Sequence, residues 1–281
     1  MVGKMRRWVP EASATRSSRY LALSAAVGAS LLLAGCLNPP NTQKQAETKA
    51  LQSAQLEAAR QAEASYNYSD AVGIYRSLYV QDQGNVELGL ALARNMRFAG
   101  QARNAITVIN QIIAKQGRTA PLLTELGKAY LAADQDNLAL PALQEAKEKA
   151  PNDWEILSAL GVAYDYEGEY ADAREAYAQA LIASPSNPTV LNNLALSQAS
   201  SGDLDGAIAT LQQAVDQPAA SAQTRQNLAL MLALKGNPDA AERLARKDLP
   251  PEVADNNSAY FRMISAATKS APPAPQTPAA Q

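Results

Sequence analysis

A strict spacing of 34 residues constrains this chain more than any other feature. From Leu160-Gly161, steps of that length land on Leu126-Gly127 and Leu92-Ala93 on one side, and on Leu194-Ala195 and Leu228-Ala229 on the other. A small residue returns twelve or thirteen positions later, at Ala105, Ala139, Ala173, Ala207 and Ala241, preceded by Ala71. Four positions beyond each stands Tyr75, Ile109, Leu143, Tyr177 or Leu211, with Ala245 as a weak last member. Gly100, Asp134, Gly168, Gly202 and Gly236 punctuate the same register, as do Pro151 and Pro185. A period of this length marks units that cannot bury their apolar faces alone, so neighbours must stack.

Each unit reads as two antiparallel helices. Gly161 and Ala173 mark where the pair crosses, because a larger side chain would hold the helices apart. Gly168 ends the first helix, where a left-handed residue costs glycine least. Pro185 stops the second before the next unit begins. The unit 154–187, with Leu160, Gly161, Tyr164, Gly168, Tyr170, Ala173, Tyr177, Ala180 and Pro185, resembles the tetratricopeptide repeat (TPR).

The resemblance implies an all-α chain, a right-handed superhelical solenoid of about six helix-turn-helix units: 52–85, 86–119, 120–153, 154–187, 188–221 and 222–255. The first unit is the most degenerate, with Ala58-Ala59 in place of Leu-Gly, and the last ends early at Asp248-Leu249-Pro250-Pro251. Terminal units deviate because one face meets solvent. Residues 256–269, with Tyr260, Phe261 and Ile264 on one helical face, are expected to form a capping helix. Residues 270–281, rich in Pro and Ala, are expected to be a disordered tail.

The other end of the chain has a different organisation. Residues 1–35 carry a net charge of +4, against −2 for the whole chain, so the part from Cys36 onward sits at −6. A basic stretch ending at Arg19 precedes an uncharged apolar run, Leu21 to Leu33. That run suits a signal peptide and is too short for a bilayer span, which needs roughly 20 residues. It ends in Leu33-Ala34-Gly35-Cys36, which resembles the bacterial lipobox. The resemblance implies a lipoprotein signal peptide over 1–35, diacylglycerol transfer to the Cys36 thiol, cleavage after Gly35 and acylation of the new amino group. Two or three acyl chains anchor a protein stably where one does not. Leu37, where an Asp would retain the protein at the inner membrane of enteric bacteria, implies the periplasmic face of the outer membrane in a Gram-negative cell envelope. Residues 36–51 then read as the lipidated Cys and a flexible tether.

Composition removes several function classes. With no His and one Cys there is no imidazole base, no Ser-His-Asp or Cys-His pair, no disulfide and no thiolate metal cluster. The acidic mature chain has no electrostatic footprint for nucleic acid. No cofactor, metal or small-molecule substrate is implied, and the chain reads as non-enzymatic.

Function is therefore sought on the inner surface of the solenoid, which first helices line and which takes segments of other proteins. One residue per unit faces inward by register: Arg94, Lys128, Val162, Leu196 and Leu230. Asn193 and Asn227 occupy equivalent positions beside Asn192 and Gln226, and form either a clamp for a partner's backbone or hydrogen bonds between helices. The charged clamp of chaperone-binding TPR proteins has no counterpart, since its places hold Asn192, Leu196 and Gln226. Tyr166 faces the groove, whereas Tyr66, Tyr68, Tyr75, Tyr130, Tyr164, Tyr170 and Tyr177 read as packing residues. Glu167, Glu169, Asp172 and Glu175 read as a solvated face.

A closer resemblance lies further along. The stretches Leu191-Asn-Asn-Leu-Ala-Leu-Ser, Thr224-Arg-Gln-Asn-Leu-Ala-Leu-Met-Leu-Ala-Leu-Lys-Gly236, Ala241-Glu-Arg-Leu-Ala-Arg-Lys-Asp-Leu-Pro-Pro251 and Ser258-Ala-Tyr-Phe-Arg262 resemble the TadD proteins, lipoproteins of tight-adherence (Flp/Tad) pilus assembly. The resemblance implies a pilotin-like partner role toward the pilus secretin or another Tad assembly component. A pilotin of a type IV pilus, or a scaffold for cell-wall enzymes, is the alternative.

Overall fold

The computed structural model describes residues 40–270, with side chains described over 45–268. The signal segment, Cys36 and the C-terminal tail lie outside the described residues. The described part is all-α, thirteen helices, and divides into two compact units within residues 1–84 and 85–281.

The first unit contains α1 (Pro40–Ala64) and α2 (Tyr68–Gln81), packed as an antiparallel pair over Ala59, Ala71, Val72, Tyr75 and Leu78. Helix α1 corrects the expected flexible tether, because residues 40–51 are helical and continuous with the rest of α1. Pro40 suits the start of a helix, and the following ten residues contain neither Gly nor Pro but several Gln, Lys, Ala and Glu. Residues 45–50 are helical and all exposed. Tyr66 is also corrected, being 65% exposed at the turn, its ring edge-to-face with Tyr68 and outside the core.

The second unit is a run of helix pairs: α3 (Val86–Phe98) with α4 (Ala102–Gln116), α5 (Ala120–Ala132) with α6 (Asp136–Lys149), and α7 (Trp154–Glu167) with α8 (Tyr170–Ala183). Next come α9 (Pro188–Ser200) with α10 (Leu204–Val215), α11 (Ala222–Leu234) with α12 (Pro238–Ala245), and finally α13 (Pro251–Ser270). Each pair packs internally and against the next, and successive first helices touch from α3 to α11.

The periodic residues explain this packing. Ala105, Ala139, Ala173, Ala207 and Ala241 are all fully buried. A Cβ on Gly161 would lie 2.5 Å from the Tyr177 ring, and one on Gly127 would lie 2.5 Å from Leu143. The missing side chain is therefore replaced by the large residue four positions after the alanine, which sharpens the expectation that Gly161 meets Ala173 itself. At the turn register the backbone is left-handed every time: Tyr66 (φ 58), Gly100, Asp134 (φ 56), Gly168, Gly202 and Gly236. Asn85, Asp153, Asn187 and Ser221 cap first helices, their side chains accepting a backbone N–H two or three residues on.

Helix α13 starts at Pro251, five residues before the expected cap, since a proline at a helix start gives up no hydrogen bond. Its buried face is Ala254, Asn257, Ser258, Phe261 and Ser265, and Ser265 Oγ donates to the Ala233 carbonyl at 2.7 Å. Tyr260 is 40% exposed and Ile264 half-buried, which corrects the expected Tyr260–Phe261–Ile264 packing face. Register gives the reason. Ser258, Phe261 and Ser265 stand one repeat beyond Thr224, Asn227 and Met231, the side of a first helix that meets the preceding unit. Helix α13 is thus a seventh first helix, with no second helix after it among the described residues. Where earlier units carry Leu-Gly or Leu-Ala toward their own second helix, it carries Arg262-Met263, 65% exposed at the Arg262 side chain and 61% at Met263.

Candidate partner-binding face

The expected groove residues spread across the first helices with different environments. Arg94 on α3 is exposed. Lys128 on α5 is half-buried and ion-paired to Glu155 of α7. Although burial raises the Glu155 pKa most, the charges of Lys128, Arg94 and Arg97 and the Lys128 hydrogen bond together bring it below the usual range. Val162, Leu196 and Leu230 are half-buried against the core. Tyr166 is 42% exposed.

The asparagines act between helices. Gln223 Nε2 donates to Asn227 Oδ1 at 3.1 Å, Asn227 Nδ2 to Asn192 Oδ1 at 2.8 Å, and Asn192 Nδ2 to Asn193 Oδ1 at 3.4 Å. Asn193 Nδ2 then donates to Ser158 Oγ at 3.2 Å. This single chain of amides runs α11 to α9 to α7. Asn193 and Asn227 share a register with buried Ala159 and Phe261, so they face the preceding unit, and the clamp gives way to the bond between helices. Gln226 turns the other way, toward its own second helix, donating to the Ala245 carbonyl of α12 at 3.4 Å.

Three polar links fall on residues that register does not single out. Arg97 of α3 donates to both Glu125 oxygens on α5 at 2.7 and 3.4 Å, with side-chain exposures of 11% and 4%. Arg225 of α11 grips Asp248 after α12 at 2.7 and 2.6 Å. The third link is centred on Asp165, whose Oδ1 accepts from Ser197 of α9 at 2.5 Å and Oδ2 from Tyr177 of α8 at 2.8 Å. The same tyrosine–carboxylate pairing recurs in the first unit, where Tyr75 donates to Glu63 at 2.9 Å, twelve residues apart as in Tyr177 and Asp165. Each pairing stands in the sequence as an acid opposite a tyrosine, where the unit with Leu131 and Leu143 is apolar and the one with Arg97 and Ile109 is basic.

Burial pushes Asp165 above the ordinary aspartate range, against the pull of Ser197, Tyr177 and Arg174, and raises Tyr177 well above its own. A carboxyl held above its unfolded pKa favours the protonated fold, so its contribution is greatest in acid. It declines as pH rises from the ordinary aspartate value through the raised one. Urea unfolding between about pH 3 and 7 should therefore show a downward component in stability that Asp165→Asn removes. An unchanged profile in the variant would deny the role.

No group of His, Cys, Asp and Glu among the described residues is arranged to hold a metal ion, and no described helix is long and apolar enough to cross a membrane.

With helix pairs, crossing glycines and left-handed turns in place, comparison with known families gives one match: the tetratricopeptide-repeat family model matches residues 158–223 and 192–254. Residues 158–254 carry TPR units. A solved TPR protein of Thermus thermophilus, TTC0263, is similar over 64% of this chain and 98% of its own, at 23% identity and a TM-score of 0.59. That likeness shows the TPR fold. MamA (22% identity, 59% of this chain, 90% of its own, TM-score 0.43) and YrrB, described as a TPR protein with an unusual peptide-binding site (20% identity, 64% and 94%, TM-score 0.41), are more distant in shape. No curated protein matches the chain. TPR arrays are scaffolds for protein–protein interaction, and the first-helix face of these TPR units is where such contact is sought.

Proposed function

We propose that the chain is a non-enzymatic lipoprotein of a Gram-negative cell envelope, held by lipid at Cys36 on the periplasmic face of the outer membrane. Its TPR face binds a protein partner, the pilus secretin or another Tad component, and assists Flp/Tad pilus assembly. The observation that carries the envelope reading is the succession of basic stretch, apolar run and Leu33-Ala34-Gly35-Cys36. Only a thiol at that position can form the thioether, and this is the one Cys in the sequence.

The motifs shared with TadD proteins have an architectural role here. Arg225 and Asp248 clasp the last pair, Phe261 seals it against Ala229, Ala233, Ala241 and Ala245, and Arg262 reaches Glu242 at 2.8 Å. They describe how the described array ends.

Metabolic labelling with a fatty acid should mark the native chain and not Cys36→Ser. The variant should leave the membrane fraction, and surface pili and secretin multimers should fall severalfold. Full piliation by unlipidated protein at normal levels would defeat the proposal. Co-purification with cell-wall hydrolases, with piliation intact, would favour the scaffold alternative.

A further inference from the structure

The C-terminal ends of the second helices differ along the array. Lys115 on α4 and Lys149 on α6 stand one repeat apart in their last turns, and α12 has Arg243 in its own. The next two steps of 34 land on Ala183 of α8 and Gln217 just after α10, and neither helix has a basic residue in its last turn. Each such end holds roughly half a negative charge on carbonyls that lack helical donors, which a lysine or arginine there offsets. Pro185 and Pro218 follow α8 and α10 and have no N–H to donate. At α10 the negative charge is increased, because the capping residue is Asp216.

A cleft of about 430 Å³ opens between these two ends. Leu181 and Pro185 line it from the α8 side, Gln213, Asp216 and Gln217 from the α10 side, and Leu191 from α9. Leu191 is buried and Asp216 exposed, its Oδ1 accepting from Gln212 at 3.0 Å. Among the described residues no ion pair involves Asp216. Ile182, 81% exposed, stands one repeat before Asp216, so an apolar and an acidic side chain hold the same register on neighbouring second helices. From Trp154 to Ser221 the chain carries nine acids and one base, Arg174, which lies in the first half of α8, away from the cleft.

We infer that this cleft takes a lysine side chain of a protein partner, its ammonium against Asp216 and the carbonyl ends of α8 and α10, its aliphatic stem over Leu181, Pro185 and Leu191. Charge selects a cation, since the carboxylate and both helix ends are negative. Lysine suits it better than arginine, because Gln212 already engages one Asp216 oxygen and the helix ends offer single carbonyls, where a guanidinium works best against paired oxygens. Ile182 on the rim selects a protein segment over a free amine, since only the segment covers the exposed isoleucine as well. The site is built mainly on second-helix ends and is separate from the first-helix face.

The test uses the full chain in uncharged phosphatidylcholine nanodiscs and a fluorescent capped peptide, Ala-Ala-Leu-Lys-Leu-Ala-Ala. Control peptides carry norleucine or Glu in place of Lys, and n-butylammonium serves as a competitor. Anisotropy should show the Lys peptide binding about tenfold more tightly than either control, with affinity falling as salt rises. Asp216→Asn should weaken it severalfold, Asp216→Glu should restore it, and Ile182→Ser should weaken it without removing the salt dependence. Gln217→Lys gives α10 the cation that α4 and α6 carry, so it should block the peptide while melting no lower than the native chain. That variant separates a filled site from a damaged fold. Equal binding of the norleucine peptide, unchanged affinity in both Asp216→Asn and Gln217→Lys, or no binding of any peptide would overturn the inference. So would n-butylammonium binding as tightly as the peptide, which would mark a site for free amines. Membrane anchoring and piliation do not enter these readouts, so the envelope role can fail while this one stands, and the reverse.

Discussion

Arg97→Ala is expected to destabilise the repeat unit by about 3–5 kcal/mol, the cost of leaving a buried carboxylate without its counter-charge. Glu125 is 4% exposed at its side chain and receives two hydrogen bonds from one guanidinium, so water cannot replace what the substitution removes. Lysine would not restore it, because a point charge cannot reproduce the two-pronged contact. The partner substitution provides the control. Removing both charges, as in Arg97→Met with Glu125→Leu, should recover most of the loss, since well-packed apolar replacements of buried pairs are often near neutral. Urea melts of the two single variants and the double give the coupling directly. A cost under about 1 kcal/mol for Arg97→Ala would mean that the pair behaves as an exposed bridge does. In a stacked array the damage should centre on the contact between α3 and α5, visible as faster amide exchange there.

Gly161→Val comes next in magnitude. The new Cβ alone would meet the Tyr177 ring at 2.5 Å, and Tyr177 is fully buried with its hydroxyl tied to Asp165. The ring cannot swing aside without breaking that bond, so helices α7 and α8 must separate. Overpacking of this kind costs about 1–3 kcal/mol in ordinary cores, and the upper end is expected here. Thermal unfolding should begin roughly 5–10 °C earlier. Gly161→Val combined with Tyr177→Leu should cost less than the sum of the two, because the smaller partner admits the added methyls. Strict additivity of the two losses would show that the residues do not compete for one space.

Much of this was legible in the sequence. The 34-residue step located the left-handed turns from Gly100 to Gly236, including Asp134 but not Tyr66, and located the fully buried alanines from Ala105 to Ala241. It also placed Gly161 at the crossing. Periodicity succeeds there because each unit repeats the same covalent solution to the same packing problem. It says less about what a neighbouring helix brings. Asn193 and Asn227 are legible as a recurring pair, but whether their amides point to solvent or to Ser158 and Asn192 depends on the adjacent unit's rotation. Tyr260 reads as a packing residue because an aromatic beside Phe261 suggests burial, whereas the register it shares with Gln226 lies on the other side. Residues 40–51 read as a tether because polar sequence without an apolar stripe gives no reason to fold. Their helical propensity, continued by α1, provides the reason.

The Arg262-Met263 pair of α13 also bears on how such a protein changes length over time. A second helix docked there would have to cover an arginine and find room around a methionine in the place that Gly161 keeps empty for Tyr177. Duplication of an internal segment of 34 residues keeps a small residue at every helix crossing, while a unit docked on Arg262-Met263 does not find one. An added second helix would therefore need small residues at 262 and 263 before it could dock.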